Sequence, residues 1–200
     1  MNLKKRVFLI LLAVTILLAA APIIEKRFLK EEMAEEAVLQ QGEYKVGEDV
    51  PEGNYDVKFS GSPIFQGKEF QQQDEVKAMP FLVGELLYVE GEGEVLLVPA
   101  RFEKLQLMEG QRYSIAHSGF YQVGEQLGAG SYNLRFLGDK EQDGAAFAQI
   151  IDAEKTVLET YSFQDKADHL VELEEGTFLQ IEKNPLEENS GLEIILEKNG

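Results

Sequence analysis

The stretch GEYKVGEDVPEGNYDVKFSG, residues 42–61, aligns without gaps with GFYQVGEQLGAGSYNLRFLG, residues 119–138. Nine of the 20 aligned positions are identical. Self-similarity of this kind is the sequence signature of a repeated structural unit. The pair therefore predicts one module that occurs twice in the chain.

Each copy has the pattern of two short strands around a turn. Apolar residues alternate with polar ones over Tyr44–Val46 and over Tyr55–Phe59, as in half-buried strands. Pro51 and Gly53 suit a tight reversal, and Gly47 suits a bulge or a close backbone approach. The second copy lacks the proline, which predicts a looser loop there. The candidate residues of this signature, interpreted as structural, are Tyr44, Val46, Gly47, Pro51, Gly53, Tyr55, Tyr121, Val123, Gly124, Gly130 and Tyr132.

The pattern continues beyond the signature. A hairpin predicted over 87–98 aligns with one over 149–158, and 105–115 aligns with 171–181. In both alignments the two copies are separated by fewer residues than the two signatures are. Each copy is then about six short strands in three hairpins. The shorter spacing gives the first copy roughly 15 extra residues, which we assign to the glutamine-rich loop Gly67–Asp74. A final strand is predicted over 192–196.

Short strands with Gly-rich turns predict an all-β fold. We expect two tandem small β-sandwich or jelly-roll-like modules, at 42–117 and 118–200, with the boundary near His117 and Ser118. A unit of this size buries little core alone, so we expect the copies to pack together.

The N-terminal region predicts attachment to a membrane. Residues 1–6 carry Lys4, Lys5 and Arg6, and residues 7–24 are free of charge, long enough for a single transmembrane helix. We predict a cytoplasmic tail, an uncleaved signal anchor and extracytoplasmic C-terminal modules; cleavage after Ala21 would instead release a secreted protein.

Residues 25–41 contain no Gly or Pro and are rich in Glu, Lys, Ala and Leu, which predicts a helical stalk. Its apolar spacing leaves two interpretations open, a solvated spacer and a short dimerising seam. The spacer is favoured because the segment is under three heptads long.

The signature over Tyr44–Tyr55 and Tyr121–Tyr132 resembles the "YxVGxDIPxGxY" repeat, which occurs in tandem in exported or membrane-anchored proteins of Gram-positive bacteria. The resemblance covers the chain from about residue 42, and the second copy departs from it at Gln126, Leu127 and Gly128. It implies β-rich extracytoplasmic modules and supplies no catalytic residues.

Composition limits the chemistry further. The chain has no cysteine and a net charge of −17, which argue against thiol chemistry, Cys-bound zinc and nucleic-acid binding. Asp139–Gly144 has the spacing that begins a calcium loop, but Ile150 stands where the closing glutamate is required. We interpret it as a polar loop, with a looser calcium site as the alternative. His117 and His169 belong to no metal or nucleophile motif, and we assign both to the surface.

These patterns predict a non-enzymatic protein without a cofactor or bound metal, which binds another protein at the cell envelope. The alternative is a module that binds cell-wall glycan or another polymer, assisted by cations. Two interpretations of the repeated tyrosines separate these functions: buried core positions, which the internal repetition favours, or exposed stacking platforms for a ligand. The sequence does not indicate an oligomeric state.

Overall fold

A computed structural model of the chain describes residues 34–109, 111–137, 147–163, 168–183 and 193–198. From Glu35 onward they belong to one compact unit. The predicted cytoplasmic tail, residues 1–6, and transmembrane anchor, residues 7–24, lie outside the described residues. The described ranges contain no helix with the length and hydrophobicity of a membrane span.

The described residues fold into β-strands, which confirms the all-β prediction for this part of the chain. The strands are β1 (Ala37–Leu39), β2 (Gly42–Lys45), β3 (Gly53–Phe65), β4 (Lys68–Glu69), β5 (Glu75–Phe81), β6 (Leu86–Pro99), β7 (Arg112–Ile115), β8 (Ser118–Gln122), β9 (Gly130–Leu137), β10 (Phe147–Ile151), β11 (Val157–Ser162), β12 (Asp168–Leu173), β13 (Phe178–Glu182) and β14 (Glu193–Lys198).

Two sheets contain these strands. The ten-stranded sheet has the order β1-β6-β3-β5-β8-β13-β10-β11, with β2 also paired to β6 and β4 to β3. The four-stranded sheet has the order β12-β9-β14-β7. We call β1–β6 the first module and β7–β14 the second module. The predicted boundary near His117 leaves β7 with the first repeat, but β7 pairs with β14 of the second module.

The two modules have the same topology. In the first module, one half of β3 and one half of β6 form a layer with β1 and β5. The other halves of β3 and β6 form a second layer with β2 and β4. In the second, the corresponding halves are separate strands: β9 and β10 replace β3, and β13 and β14 replace β6. The repeated sequence therefore forms a repeated two-layered, sandwich-like structure.

The end of the predicted helical stalk forms a strand. Residues 25–33 lie outside the described residues, but Ala37–Leu39 form β1, which pairs with β6. The helix prediction is wrong for these three residues. Pairing with β6 and burial of Leu39, which is 2% exposed, override the weak helical preference of a short segment.

The hairpin predicted over 87–98 is wrong, because β6 runs through it without reversing. Gly91 and Gly93 have φ angles of 78° and 149°, and they lie where β6 crosses Gly61 of β3. A Cβ atom added at Gly93 would lie 2.1 Å from the carbonyl oxygen of Ser60. These glycines allow two long strands to bend together from one layer to the other.

The predicted hairpin at the signature itself is also wrong. β2 and β3 do not pair with each other; both pair with β6. The turn lies at residues 47–49 rather than at Pro51–Gly53, and Val46 and Val50 on its two sides bridge in parallel. The segments matched as 105–115 and 171–181 are not equivalent hairpins either, since β12 and β13 lie in different sheets. The predicted hairpin over 149–158 is present as β10 and β11.

The extra residues lie in the second copy, not in the loop Gly67–Asp74 of the first. Leu87 pairs with Tyr44, and Leu179 pairs with Tyr121, so these pairs mark equivalent positions. More of the chain separates Tyr121 from Leu179 than separates Tyr44 from Leu87, which makes the second copy the longer one over this interval. The prediction failed because Gly-rich hairpins resemble one another in sequence, while only strand pairing identifies equivalent positions.

Each module buries an apolar core between its layers. In the first, Tyr55 stacks on Phe81 with ring centroids 5.3 Å apart, and Phe59 stacks on Phe70 at 3.9 Å. In the second, Phe136 stacks on Phe163 at 5.5 Å. Aromatic burial of this kind makes a large contribution to the stability of a small β module.

Candidate functional site

The signature loops are the first candidate site, and they have the same backbone hydrogen bonds in both copies. The amide of Gly47 donates to the carbonyl of Val50 at 2.7 Å, as that of Gly124 does to Leu127 at 2.7 Å. The two glycines have φ angles of 89° and 98°, in the left-handed region that favours glycine. Both loops therefore need glycine at this position.

The turn at residues 47–49 has a side-chain hydrogen bond that the second copy repeats with a different residue. A carboxylate oxygen of Asp49 accepts the amide of Lys45 at 2.8 Å, and the side-chain oxygen of Gln126 accepts the amide of Gln122 at 3.0 Å. Leu127 is 1% exposed, in the place of equally buried Val50. The departures at Gln126 and Leu127 thus preserve this turn, and the looser loop predicted at 128–130 stays a prediction.

The repeated tyrosines share one contact. Each donates its hydroxyl to the carbonyl oxygen four residues before it: Tyr44 to Gln40 at 3.0 Å, Tyr55 to Pro51 at 2.9 Å, Tyr121 to His117 at 2.7 Å and Tyr132 to Gly128 at 2.8 Å. Burial raises the pKa of the Tyr55 and Tyr132 hydroxyls, which keeps them protonated as donors.

The rings of Tyr55, Tyr121 and Tyr132 are buried, and Tyr44 is half-buried. A ligand cannot stack on a ring that lies inside the core. Val46 and Val123 are buried beside them, while Pro51, Gly53 and Gly130 are half-buried. The signature residues therefore lie in the framework of each module rather than in a shared cleft.

The second candidate site is the junction between the modules, which the sequence does not predict. β5 and β8 pair in parallel there, through Val76 with Ser118 and Lys77 with Gly119. Gly119 has a φ of 150°, and an added Cβ atom would lie 2.4 Å from the carbonyl oxygen of Lys77. Only glycine allows this approach of the two backbones.

Charged groups support the β5 side of the junction. The ammonium group of Lys77 lies 2.6 Å from Glu75 and 3.1 Å from Asp56. Another oxygen of Asp56 accepts the amide of Ala78 at 3.0 Å, where the strand bulges. Burial alone lowers the pKa of Lys77, but the bonds to Glu75 and Asp56 outweigh it and raise the pKa.

A cavity of about 290 Å³ opens at this junction. Its apolar wall includes Phe65, Phe70, Val76, Met79, Phe120 and Ile181, and its polar lining includes Gln66, Lys68, Ser118, Gln180, Glu182 and Lys183. Lys68 forms an ion pair with Glu182 across the junction, and the buried amide of Lys183 donates to the hydroxyl of Ser118 at 3.0 Å.

The cavity can hold a small molecule, because it combines apolar walls with a few polar groups. Within the described residues, no group of three or more His, Asp or Glu side chains could hold a metal ion. Asp139–Gly144, the predicted polar loop, lies outside the described residues. His169 is half-buried and contacts Tyr161 and Phe163, and the backbone carbonyl of His117 accepts the bond from Tyr121.

Comparisons with protein-family models, curated proteins and solved structures returned no match. The resemblance to the tandem "YxVGxDIPxGxY" repeat therefore stays a prediction. The junction residues were missed because their roles depend on pairing between modules. One signal was available: the glycine that opens each copy has no role in a turn, which indicates a close approach to something outside its own copy.

Proposed function

We propose that this is a non-enzymatic, membrane-anchored extracytoplasmic protein of two β-sandwich or jelly-roll-like modules, which binds another protein at the cell envelope through exposed strand edges. One observation supports this most directly: β11 and β12 end their sheets, and they expose Val157, Leu158 and Leu170 to solvent at 48%, 53% and 60%. Natural edge strands are usually protected from pairing, so apolar residues there favour a binding surface.

The junction supports the same mode of binding. Inside this chain, the edge of β5 already receives β8 from another module. Addition of a strand to a sheet edge gives affinity through backbone hydrogen bonds and specificity through alternate side chains. An envelope protein with an extended segment is a suitable partner for such an edge.

The test is site-specific photo-crosslinking in intact cells. A photoreactive residue replaces Leu158 on β11 or Leu170 on β12, with Tyr88 in β6 as the matched control. Tyr88 is 43% exposed but lies within a strand paired on both sides. We expect a discrete protein adduct from an edge position and none from the control. Absence of an adduct from both edges would contradict the proposal.

A second candidate is binding of a wall glycan or another polymer at the junction cavity. The half-buried ring of Phe120 and the amides of Gln66 and Gln180 in its lining favour it, since sugars bind to aromatic faces beside polar side chains. Titration of wall fragments against the full chain and against Phe120→Ala tests it. We expect saturable binding that the substitution weakens; equal binding by both proteins would contradict this candidate.

A further inference from the structure

The junction between the modules joins two strands, β5 and β8. Each of them has a counterpart in the other module, and in the described residues these two counterparts do not pair with each other. Within the chain, the edge of β5 in the first module receives β8, the first signature strand of the second. β12 is the second module's counterpart of β5, and β2 is the first module's counterpart of β8. Continuing the same junction would bring β12 and β2 together from different molecules.

The receiving edge is defined by strand register. Lys58 pairs with Glu75 of β5, and the repeat-related Arg135 pairs with Asp168 of β12. Leu170 pairs with Asn133, the counterpart of Asp56, and so occupies the place of the β5 bulge that contains Lys77, the residue that faces Gly119 at the junction. Among the described residues β12 pairs only with β9, and Leu170 is 60% exposed.

The donating strand has the same glycine and tyrosine in both copies, with Glu43 of β2 in the place of Phe120 of β8, and the two strands differ in burial. In β8, Ser118 and Gly119, the two residues that pair with β5, are buried, while the ring of Tyr121 lies in the core of its own module. In β2, which within the described ranges pairs with β6 alone, Gly42, Glu43 and Lys45 are exposed. The first signature strand thus has an edge of the kind that β5 covers in the second copy.

Gly42 provides the most specific observation. An added Cβ atom there would meet nothing closer than 3.6 Å, from the ring of Tyr44, and Gly42 has no positive φ. Nothing within its own module requires glycine. Its counterpart Gly119 must be glycine because the backbone of Lys77 lies against it. A strand docked on β2 as β5 is docked on β8 would impose the same requirement on Gly42.

We infer that copies of this chain associate head to tail, with β12 of one molecule receiving β2 of the next and Leu170 facing Gly42. The inference rests on the proposed function and names a second copy of this chain as the partner. Because the two surfaces differ, the contact is heterologous and extends into a row rather than closing as a two-fold dimer. The net charge of −17 opposes it, so association strengthens as salt screens the repulsion.

Cysteine crosslinking of the purified full chain tests this, because the natural sequence contains no cysteine. Gln41→Cys and His169→Cys proteins keep Gly42, and they replace the counterparts of the paired junction residues Ser118 and Val76; they are mixed in equal amounts at near-physiological ionic strength and mildly oxidised with copper phenanthroline in air. Directly paired residues of neighbouring strands have Cβ atoms about 4.5–5.5 Å apart, so a small displacement reaches the separation of about 3.8 Å in a disulfide. We expect a covalent dimer.

The control mixture pairs His169→Cys with Val38→Cys, a residue of β1 that is 54% exposed and belongs to the other layer. We expect several times more dimer from the Gln41 mixture. Equal yields, or no dimer, would overturn the inference. A second readout uses Gly42→Val, which should reduce the mass in sedimentation without lowering the melting temperature, and an unchanged mass would also overturn it.

The two proposals fail in distinguishable ways. If the mixture forms no dimer while Leu170 crosslinks to a different envelope protein in cells, self-association is wrong and the proposed function stands. If neither the mixture nor either edge position in cells gives an adduct, both are wrong.

Discussion

Strands β2 and β8 begin the two copies of the repeat, and they have different surroundings. β2 is largely exposed, whereas β8 is largely buried, and β5 pairs with its first two residues. The equivalent glycines of these strands therefore meet different steric limits: a Cβ atom at Gly119 would clash with the backbone of Lys77, whereas one at Gly42 would make only ordinary contacts with the ring of Tyr44. The difference shows that the same residue of a repeat can be sterically required in one copy and not in the other, because the neighbouring strand differs.

The largest difference in stability is expected between substitutions at these two glycines. Gly119→Ala forces a Cβ atom against the Lys77 backbone and should reduce the free energy of unfolding by about 3 kcal/mol, since overpacking is costly. Gly42→Ala should cost less than about 0.5 kcal/mol, as for other open surface positions. Urea denaturation of the two variants measures this; equal losses would contradict the difference between the strands.

Tyr55 and Tyr132 should show the opposite result, an equal loss of stability in the two copies. Tyr55→Phe and Tyr132→Phe each remove a hydroxyl on a buried ring that makes a partly buried hydrogen bond to a loop carbonyl oxygen, which should cost about 1 kcal/mol. Tyr44→Phe should cost less, because its partner carbonyl on Gln40 is exposed and water can replace the bond. Thermal unfolding of the three variants is the measurement, and a larger loss for Tyr44→Phe would break the pattern.

The two copies differ in the burial of the side chain that accepts a backbone hydrogen bond in the signature loop. Gln126 is 8% exposed, so Gln126→Ala leaves the amide of Gln122 poorly hydrated and should cost about 1 kcal/mol. Asp49→Ala should cost about 0.5 kcal/mol because the amide of Lys45 lies at the surface and can bond water. Chemical denaturation tests both variants, and a larger effect at Asp49 would mean that charge outweighs burial here.

The smallest effect is expected at Lys77 beside the junction. Burial lowers its pKa, but the bonds to Glu75 and Asp56 raise it above 10.5 in the folded protein. The ion pairs therefore stabilise the fold fully below pH 10.5, and this contribution is lost as the pH rises through the higher pKa of the folded state.

Lys77→Met should accordingly lose about 0.5 kcal/mol near neutral pH, and the difference from the natural protein should shrink above pH 10.5. Arg135→Met is the control, since it breaks the more exposed pair with Asp168, the second module's counterpart of the Lys58–Glu75 pair. Urea midpoints across this pH range give the comparison. A loss that stays constant with pH would exclude the ionic contribution.

Local patterns predicted part of this architecture. The alternation around Tyr55 and Val57 correctly indicates strands with a buried face, and the matching signatures correctly indicate a structure built twice. The predicted turn at Gly91–Gly93 was wrong because glycine permits a bend in a strand as readily as a reversal. The predicted helix over Ala37–Leu39 was wrong because pairing with β6 outweighed local propensity.

The sequence by itself determined the all-β class, the duplication and the alternation that decides which side chains are buried, because these depend on short-range spacing along the chain. Only the tertiary structure decided which strands pair, which copy is the longer one and why Gly119 must be glycine. Those features depend on hydrogen bonds between segments far apart in sequence. The local sequence of a strand does not show which strand edge it will pair with.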